Sequence, residues 1–242
     1  IAHLPDFQGY IYDLSAPTAN MYGFECPIKL RKGPCEGKNC LYPETCPTLP
    51  VDHRKQTELL KRLRKIDGVK KVFVGSGLRY DLVLADAEHG EDYLKELVQH
   101  HISGQLKVAP EHTQPDVLAR MRKPDQGQLL EFKRRFDALS EDVRQKQFLS
   151  YYLIAAYPGC TLGDMHALKR FASQELGILP EQVQVFTPTP STYASVMYYT
   201  EKDPFTGEKL FVEKNPAGKK KQKETITGRS KPPRQHRRNR RK

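Results

Sequence analysis

The sequence contains no tryptophan, only 5 cysteines and no long run of apolar residues. A transmembrane helix needs about 20 consecutive apolar residues, so we expect no contact with a membrane. Residues 1–7 lack the charged and apolar regions of a signal peptide. The sequence therefore predicts a cytoplasmic protein.

The positive charge of the chain is concentrated in its C-terminal tail. The formal net charge is +11, but residues 214–242 contain 13 Lys and Arg and a single acid, Glu224, which leaves residues 1–213 near −1. The tail has almost no apolar side chains, so we predict that it is disordered. It either keeps the protein in solution or makes a sequence-independent contact with RNA.

Short β-rich runs alternate with helical patterns along the rest of the chain. The predicted strands are residues 10–14, 69–74, 105–109, 148–156 and 182–186, and the predicted helices begin at Asp52 or cover 91–100, 127–139 and 164–176. This alternation predicts an α/β fold with a parallel sheet. We expect a partial (β/α) TIM-type barrel, with a doubly wound open sheet as the alternative. The near-continuous apolar run at 148–156 is typical of a strand covered on both faces.

Four cysteines fall within 21 residues, at Cys26, Cys35, Cys40 and Cys46. Without a secretion signal, such a cluster indicates a metal site in a reducing compartment more than disulfides or unreacted thiols. Four thiolates suit either tetrahedral zinc or an iron–sulfur cluster. The segment is too rich in Gly, Pro and Lys to predict regular structure, so a bound metal is expected to order it.

The predicted strands end in loops rich in small and polar residues. These loops are residues 14–20, 75–81, 109–112, 157–161 and 187–192. In parallel α/β folds the carboxyl ends of the strands share one side of the sheet, and ligands bind there. Arg79, Lys107, Glu111 and His112 can supply charge at this site, or they can be solvated or ion-paired. Neighbours on a strand face opposite ways, so only one of Glu111 and His112 is expected to point inward.

Several segments resemble one known family. They include PDFQGYIYDLSAPTANMYG, CLYPETCP, HHISGQLKVAPEHT, MRKPD, YPGCT and PEQVQVFTPTPSTYASVMYYTEKDPFTGEKLFV. Together they resemble the YgiQ-type radical S-adenosylmethionine (SAM) proteins over about residues 3–213.

The resemblance implies an enzyme that generates a 5′-deoxyadenosyl radical from SAM on a [4Fe-4S] cluster and acts on an unknown substrate. It also implies an electron donor such as flavodoxin or ferredoxin. In such enzymes a CxxxCxxC loop after the first barrel strand holds the cluster. That motif is absent here and the chain begins at Ile1 rather than Met, so we expect the cluster loop to lie upstream and this chain alone to be inactive.

The resemblance also assigns roles to the strand-end loops. Residues 15–20 stand where relatives carry a Gly-Gly loop that contacts the methionyl amine of SAM, although Ser15 and Ala16 replace the glycines here. The loops at 157–159 and 187–191 are expected to line the adenosine and substrate region, and the four cysteines to hold an auxiliary iron–sulfur cluster or zinc. The predicted cofactor-binding residues are Ser15, Thr18, Asn20, Ser76, Arg79, Lys107, Glu111, Pro158, Gly159 and Thr189. No catalytic residue is assigned.

These observations predict three regions. Residues 1–200 form the partial barrel, with a Cys-rich insertion at 21–50. Residues 201–213 form a C-terminal extension, and residues 214–242 form the basic tail. Two other readings remain open: a zinc-stapled module without catalysis, and an RNA-binding protein that acts through its tail.

Overall fold

Strands and helices alternate in the computed structural model, which describes residues 1–14, 18–36, 39–180 and 183–227. The strands are β1 (Tyr10–Ile11), β2 (Lys71–Val72), β3 (Gln105–Glu111), β4 (Phe148–Ala155) and β5 (Gln184–Val185). The helices are α1 (Pro27–Lys32), α2 (Arg54–Leu63), α3 (Tyr80–Ala85), α4 (Gly90–Glu96), α5 (Pro115–Met121), α6 (Gln126–Asp142), α7 (Leu162–Gln174), α8 (Tyr193–Thr200) and α9 (Pro216–Thr227). A π-helical turn, Leu97–His101, follows α4.

Every pairing between the five strands is parallel, and neighbouring strands follow the order of the chain. β1 pairs with β2, β3 with β4, and β4 with β5. A parallel bridge from Leu78 to Val108 joins the segment after β2 to β3. The prediction of an α/β fold with parallel strands is confirmed. The strands of the described residues do not close into a barrel.

The strands β3 and β4 bury alternate side chains. Leu106, Val108, Leu149 and Leu153 lie in one hydrophobic core with residues of the helices, among them Phe132. The intervening side chains of β4 lie on the other face, where Phe148 and Tyr152 are exposed. The prediction that both faces of this strand are covered is therefore wrong for the described residues. Within the described part of the chain, helices cover one face of β4.

Regular structure also occurs where none was predicted. Helix α1 lies within the Cys-rich segment and begins with Pro27, a residue that suits the first turn because its missing N–H is not needed there. Helices α3, α5 and α8 have 6, 7 and 8 residues. Helices this short contain too few turns to show an apolar periodicity in the sequence. Their stability comes from packing against the rest of the protein.

The first part of the basic tail is folded, which corrects the prediction that residues 214–242 are disordered. Helix α9 packs against α7 and buries Gln222 and Ile226. The sequence of α9 shows no apolar periodicity, because most of its residues are lysines and other polar residues and its buried face contains only Gln222 and Ile226. Residues 228–242 lie outside the described part of the chain.

Gln222 attaches α9 to the loop after β4. Its side-chain oxygen accepts a hydrogen bond from the backbone N–H of Ala156 at 2.9 Å, and its amide donates to the carbonyl of Cys160 at 3.0 Å. One buried side chain therefore satisfies a donor and an acceptor of this loop.

None of the described helices is both long and apolar enough to span a membrane.

We predict that Gln222→Ala loosens α9. The substitution leaves two buried backbone groups without partners, which costs about 2 kcal/mol. Hydrogen exchange of the backbone amides in α9 should accelerate strongly. The control is Lys221→Ala, since Lys221 is exposed on the same helix. Equal exchange rates in the two variants would contradict the role of Gln222.

Candidate functional site

Two neighbouring strands end in strained backbone at the same edge of the sheet. Glu111, the last residue of β3, has φ 66°, and Ala156, directly after β4, has φ 57°. Residues other than glycine rarely adopt this conformation, and where they do it often marks a functional site. The register between β3 and β4 also shifts between Val108 and Glu111. This carboxyl edge is where the sequence predicts ligands, but the strain itself has no sequence signal.

The two charged residues predicted on β3 differ in their surroundings. The carboxylate of Glu111 lies 2.8 Å from Nζ of Lys123, which also donates to the carbonyl of Ala109 at 3.3 Å. Lys107 is exposed on the face of β3 away from the core. Of the two readings left open for Glu111, the structure favours the ion-paired one. Lys123 was not predicted, because its partner lies on a different element.

Asn20 is completely buried and hydrogen-bonded on all sides. Its side-chain oxygen accepts from the backbone N–H of Arg79 at 2.8 Å. Its amide donates to the carbonyl of Arg79 at 2.9 Å and to Nε2 of His53 at 3.1 Å. Asn20 therefore joins the loop after β1 to the loop after β2. Its polar atoms have protein partners, and its predicted role as a cofactor ligand stays a prediction.

His53 continues this network toward α3 and α4. Its ring Nδ1 and its backbone N–H both approach one carboxylate oxygen of Asp86, at 2.8 Å and 2.7 Å. Burial raises the pKa of Asp86, but hydrogen bonds from the N–H groups of His89 and His53 outweigh it and hold the pKa below its usual value. Burial likewise lowers the pKa of His53. A neutral His53 thus donates from Nδ1 to an ionised Asp86 and accepts from Asn20 at Nε2.

Asn20 and His53 also close the neck of the Cys-rich segment. They stand at its two ends, and two further hydrogen bonds join residues around its start to α2. Gln56 donates to the carbonyl of Ala19 at 2.5 Å, and Lys55 donates to the carbonyl of Gly23 at 3.3 Å. The residues between the ends therefore form a loop that is fixed at its base.

Two more predicted residues are engaged by nearby carboxylates. The hydroxyl of Ser76 donates to Asp13 at 2.7 Å, and the same carboxylate accepts from the backbone N–H groups of Gly75 and Ser76. The guanidinium of Arg79 forms an ion pair with Asp81. Neither Asp13 nor Asp81 was predicted. The sequence does place Asp13 just after β1, where a polar side chain could have been expected to contact the neighbouring loop.

The loop after β4 approaches α5 closely. Gly159 has φ 84°, and a side chain there would meet Arg120, whose Cδ lies 2.8 Å from the place of a Cβ. Pro158 beside it is buried. The left-handed conformation favours glycine at position 159, and any larger residue would also displace the end of the Arg120 side chain.

The remaining predicted cofactor residues lie on loops. Thr18 is half-buried and Thr189 is exposed. The carbonyl of Thr189 accepts from the hydroxyls of Thr192 and Ser195 at the start of α8. Ser15 lies outside the described residues.

A buried histidine that follows β3 and a buried cysteine in the loop after β4 lie side by side. His112 accepts at Nδ1 from the N–H of Gln114 at 3.0 Å, and its Nε2 lies 3.6 Å from Sγ of Cys160. Burial lowers the pKa of His112 to about 4 and raises that of Cys160 to about 12. At neutral pH the pair is an imidazole and a thiol, so Cys160 is not an activated nucleophile. His112 is buried in the core while Glu111 is only half-buried at the edge.

The four clustered cysteines lie near one another. Burial, followed by the neighbouring thiols of Cys46, Cys26 and Cys35, raises the pKa of Cys40. Cys26 caps α1, where the backbone N–H of Lys29 lowers its pKa against the effect of burial. Cys46 lies 3.1 Å from the hydroxyl of Thr48.

The segment that carries these cysteines has almost no core. Between Met21 and Asp52, the described hydrophobic residues that are buried are Cys26 and Leu49. No disulfide joins the cysteines, and in the described ranges no three His, Cys, Asp or Glu side chains are already arranged to hold a metal ion. The metal site predicted at the four cysteines stays a prediction.

Comparison with known proteins reveals extensive similarity to proteins named UPF0313. The chain is 56% identical over 227 residues to one from Fusobacterium nucleatum, which covers 94% of this chain and 40% of that protein. It is 48% identical over 208 residues to one from Methanosarcina mazei, covering 86% and 32%. It is 44% identical over 221 residues to one from Thermotoga petrophila, covering 91% and 38%. The chain therefore spans two fifths or less of the length of these relatives.

A family described as a domain of unknown function (DUF3362) matches residues 181–237. The match includes α8, α9 and the segment between them.

We predict that Asn20→Ala destabilises the fold by about 2 kcal/mol, because it leaves both backbone groups of Arg79 and the ring of His53 without a partner. Urea denaturation measures the loss. Gln105→Ala removes an amide that is exposed at the start of β3 and should change stability by less than about 0.5 kcal/mol. If both variants unfolded at the same urea concentration as the native chain, Asn20 would not hold the two loops together.

The pKa of His112 predicts a loss of stability in acid. Its folded-state pKa of about 4 lies below the ordinary 6.5, so the unfolded chain binds a proton that the folded chain excludes. This stabilisation is complete above the unfolded pKa and is lost as pH falls from 6.5 toward 4.

The test compares His112→Asn with the native chain, because an asparagine oxygen can still accept from Gln114. Between about pH 7 and about pH 4.5, the native chain should lose about 2 kcal/mol more unfolding free energy than the variant. His53 is present in both proteins, so its titration cancels. Parallel pH profiles would show that His112 is not held neutral.

Proposed function

We propose that this chain is part of a YgiQ-type radical SAM enzyme with an auxiliary metal site at Cys26, Cys35, Cys40 and Cys46. The UPF0313 relatives are YgiQ-like proteins, which supports the proposal. The observation that carries it is the order of the five parallel strands, since strands in chain order suit a partial barrel. A doubly wound sheet would reverse its order at a switch point.

The exposed face of the strands is consistent with the inside of such a barrel. Tyr12 is 74% exposed, and Phe148 and Tyr152 lie on the face away from the helices. Large aromatic side chains are rarely left exposed together on a sheet without a functional reason. A substrate or further barrel elements would cover this face.

The chain's own residues would shape the mouth of the barrel rather than supply the SAM-ligating cluster. Glu111 and Lys123 form a fixed pair of charges at the end of β3, and Asp13 orders the backbone after β2. Gly159 lets the loop after β4 approach α5. Bound SAM and its cluster would supply one-electron chemistry, while these residues position the cofactor and exclude water.

The four cysteines fit a cluster in their chemistry. The thiols of Cys46, Cys26 and Cys35 are near enough to raise the pKa of Cys40. All four lie in a segment whose two ends are joined by Asn20 and His53 and which has little core to order it. Metal binding supplies folding free energy to such segments. An auxiliary cluster there could carry electrons or bind substrate.

The test is anaerobic reconstitution of the whole chain with iron and sulfide, followed by metal analysis and visible absorption. We expect brown protein with about four irons per chain. The double variant Cys35→Ser, Cys40→Ser should lose the iron and the colour because it removes two of the ligands.

The fifth cysteine provides the matched control. Cys160→Ala removes a thiol that is buried away from the cluster, and it should retain the iron. Colourless protein holding about one zinc would contradict the auxiliary cluster and favour a zinc-stapled module. Iron that persists in the double variant would place the metal elsewhere.

A further inference from the structure

The C-terminal part of the described chain exposes an unusual set of aromatic side chains. Tyr193 and Tyr199 of α8 are 55% and 72% exposed, and Phe205, in the turn that follows, is 55% exposed. An antiparallel bridge between Lys202 and Lys209 holds this turn. We call the surface formed by α8 and this turn the α8 surface. It belongs to the segment that matches the domain of unknown function.

A stacked arginine lies in the middle of the α8 surface. The guanidinium of Arg122 lies 4.1 Å from the ring centre of Phe205 and 4.9 Å from that of Tyr193. Stacking on a ring leaves the N–H groups at the edge of a guanidinium able to donate hydrogen bonds. Arg122 itself adopts the left-handed conformation, with φ 53°, so the backbone is held in an uncommon state that presents this side chain.

Two cavities lie on this surface, and the stacking of Arg122 on Tyr193 links a residue of one to a residue of the other. The smaller, about 190 Å³, is lined by Arg120 and Arg122 with Asp116, Asp203 and the ring of Phe205. The larger, about 650 Å³, is an open groove along α8. Aromatic rings and hydroxyl groups line it, from Tyr193, Tyr199, Ser191, Thr192, Ser195 and Thr200.

Two arginines of the smaller cavity can hold an anionic group, although Asp116 and Asp203 balance their charge. Among the described residues, the arginines that pair with carboxylates do not include Arg120 or Arg122. Asp203 is already used, because its carboxylate accepts from the N–H groups of Phe205 and Thr206. Asp116 is exposed and can accept from a hydroxyl or amino group next to the anion. Two guanidinium groups at one cavity suit a phosphate.

The neighbouring helix adds positive charge. Nζ of Lys219 lies 4.7 Å from the ring centre of Tyr198. Lys220, Lys221 and Lys223 of α9 are exposed. Beyond α9 the sequence of residues 229–242 contains eight further Lys and Arg and no acid.

We propose that the α8 surface binds single-stranded nucleic acid, with a backbone phosphate between Arg120 and Arg122 and bases stacked in the groove on Tyr193 and Tyr199. Aromatic platforms beside a positively charged track are the common means of binding single strands, and stacking accepts any base. A hydroxyl of a ribose would face Asp116. The proposal goes beyond the metal site and does not require it.

The test is fluorescence anisotropy of a labelled 12-nucleotide oligouridine titrated with the full chain. Tyr199→Ala should weaken binding about tenfold, because one stacking platform is lost. Tyr199→Phe keeps the ring and should bind as the native chain does. Tyr22→Ala, which removes an exposed tyrosine from the Cys-rich segment, is the control and should bind normally.

Arg122→Ala tests the phosphate contact separately. It should weaken binding and reduce the slope of log Kd against log salt by about 0.7, the value for one phosphate contact on a single strand. A full-length variant in which Arg237, Arg238, Arg240 and Arg241 become Gln tests the tail. It should bind more weakly, but Tyr199→Ala should weaken it further by the same factor.

Three results would overturn the proposal. The first is a native chain without salt-dependent affinity for the oligonucleotide. The second is an affinity that Tyr199→Ala and Arg122→Ala leave unchanged, which would assign binding to the tail. The third is a native dimer that Tyr199→Ala converts to a monomer, since the α8 surface would then be a protein interface. Iron content in the reconstitution experiment is unaffected by any of these outcomes, so the two proposals fail independently.

Discussion

The hydrogen bond between Asn20 and His53 is the constraint on which the candidate site depends. It joins residues 33 positions apart, and between them lies a segment with very little core. Asn20 also holds the backbone of Arg79, and His53 holds Asp86. One buried amide thereby connects the ends of two strands, the start of α2 and the turn between α3 and α4. These contacts close the Cys-rich loop at its base, which limits the entropy that ordering of the loop would cost.

The carboxyl edge of the sheet is organised by local pairs of opposite charge or complementary polarity. Glu111 meets Lys123, Ser76 meets Asp13, and Arg79 meets Asp81. Each partner fixes a group that would otherwise be mobile, and at Glu111 the backbone itself is left-handed beside a shift in strand register. Such preorganisation is what a site requires when a cofactor must be held in one orientation. It also explains why few of these groups point freely outward.

The sequence reveals the architecture better than the site. All five predicted strands occur, because short β-rich runs bounded by turn residues are local signals. Helix α9 was missed because its lysines conceal a face that only Gln222 and Ile226 bury. The partners of Asn20 and Ser76 lie 59 and 63 positions away along the chain, so no local pattern indicates them. The positions of the strand ends predict where polar residues lie together. Which of these residues can bind a ligand depends on their tertiary contacts.

The attachment of α9 by Gln222 has a thermodynamic consequence. The same side chain holds the N–H of Ala156 and the carbonyl of Cys160, so the loop after β4 and the basic helix are ordered together. Linkage is reciprocal. If a molecule bound at the sheet edge steadies the loop, it must also lower the opening rate or raise the closed population of α9. A polyanion seated on the lysines of α9 would then increase affinity at the edge by the same factor.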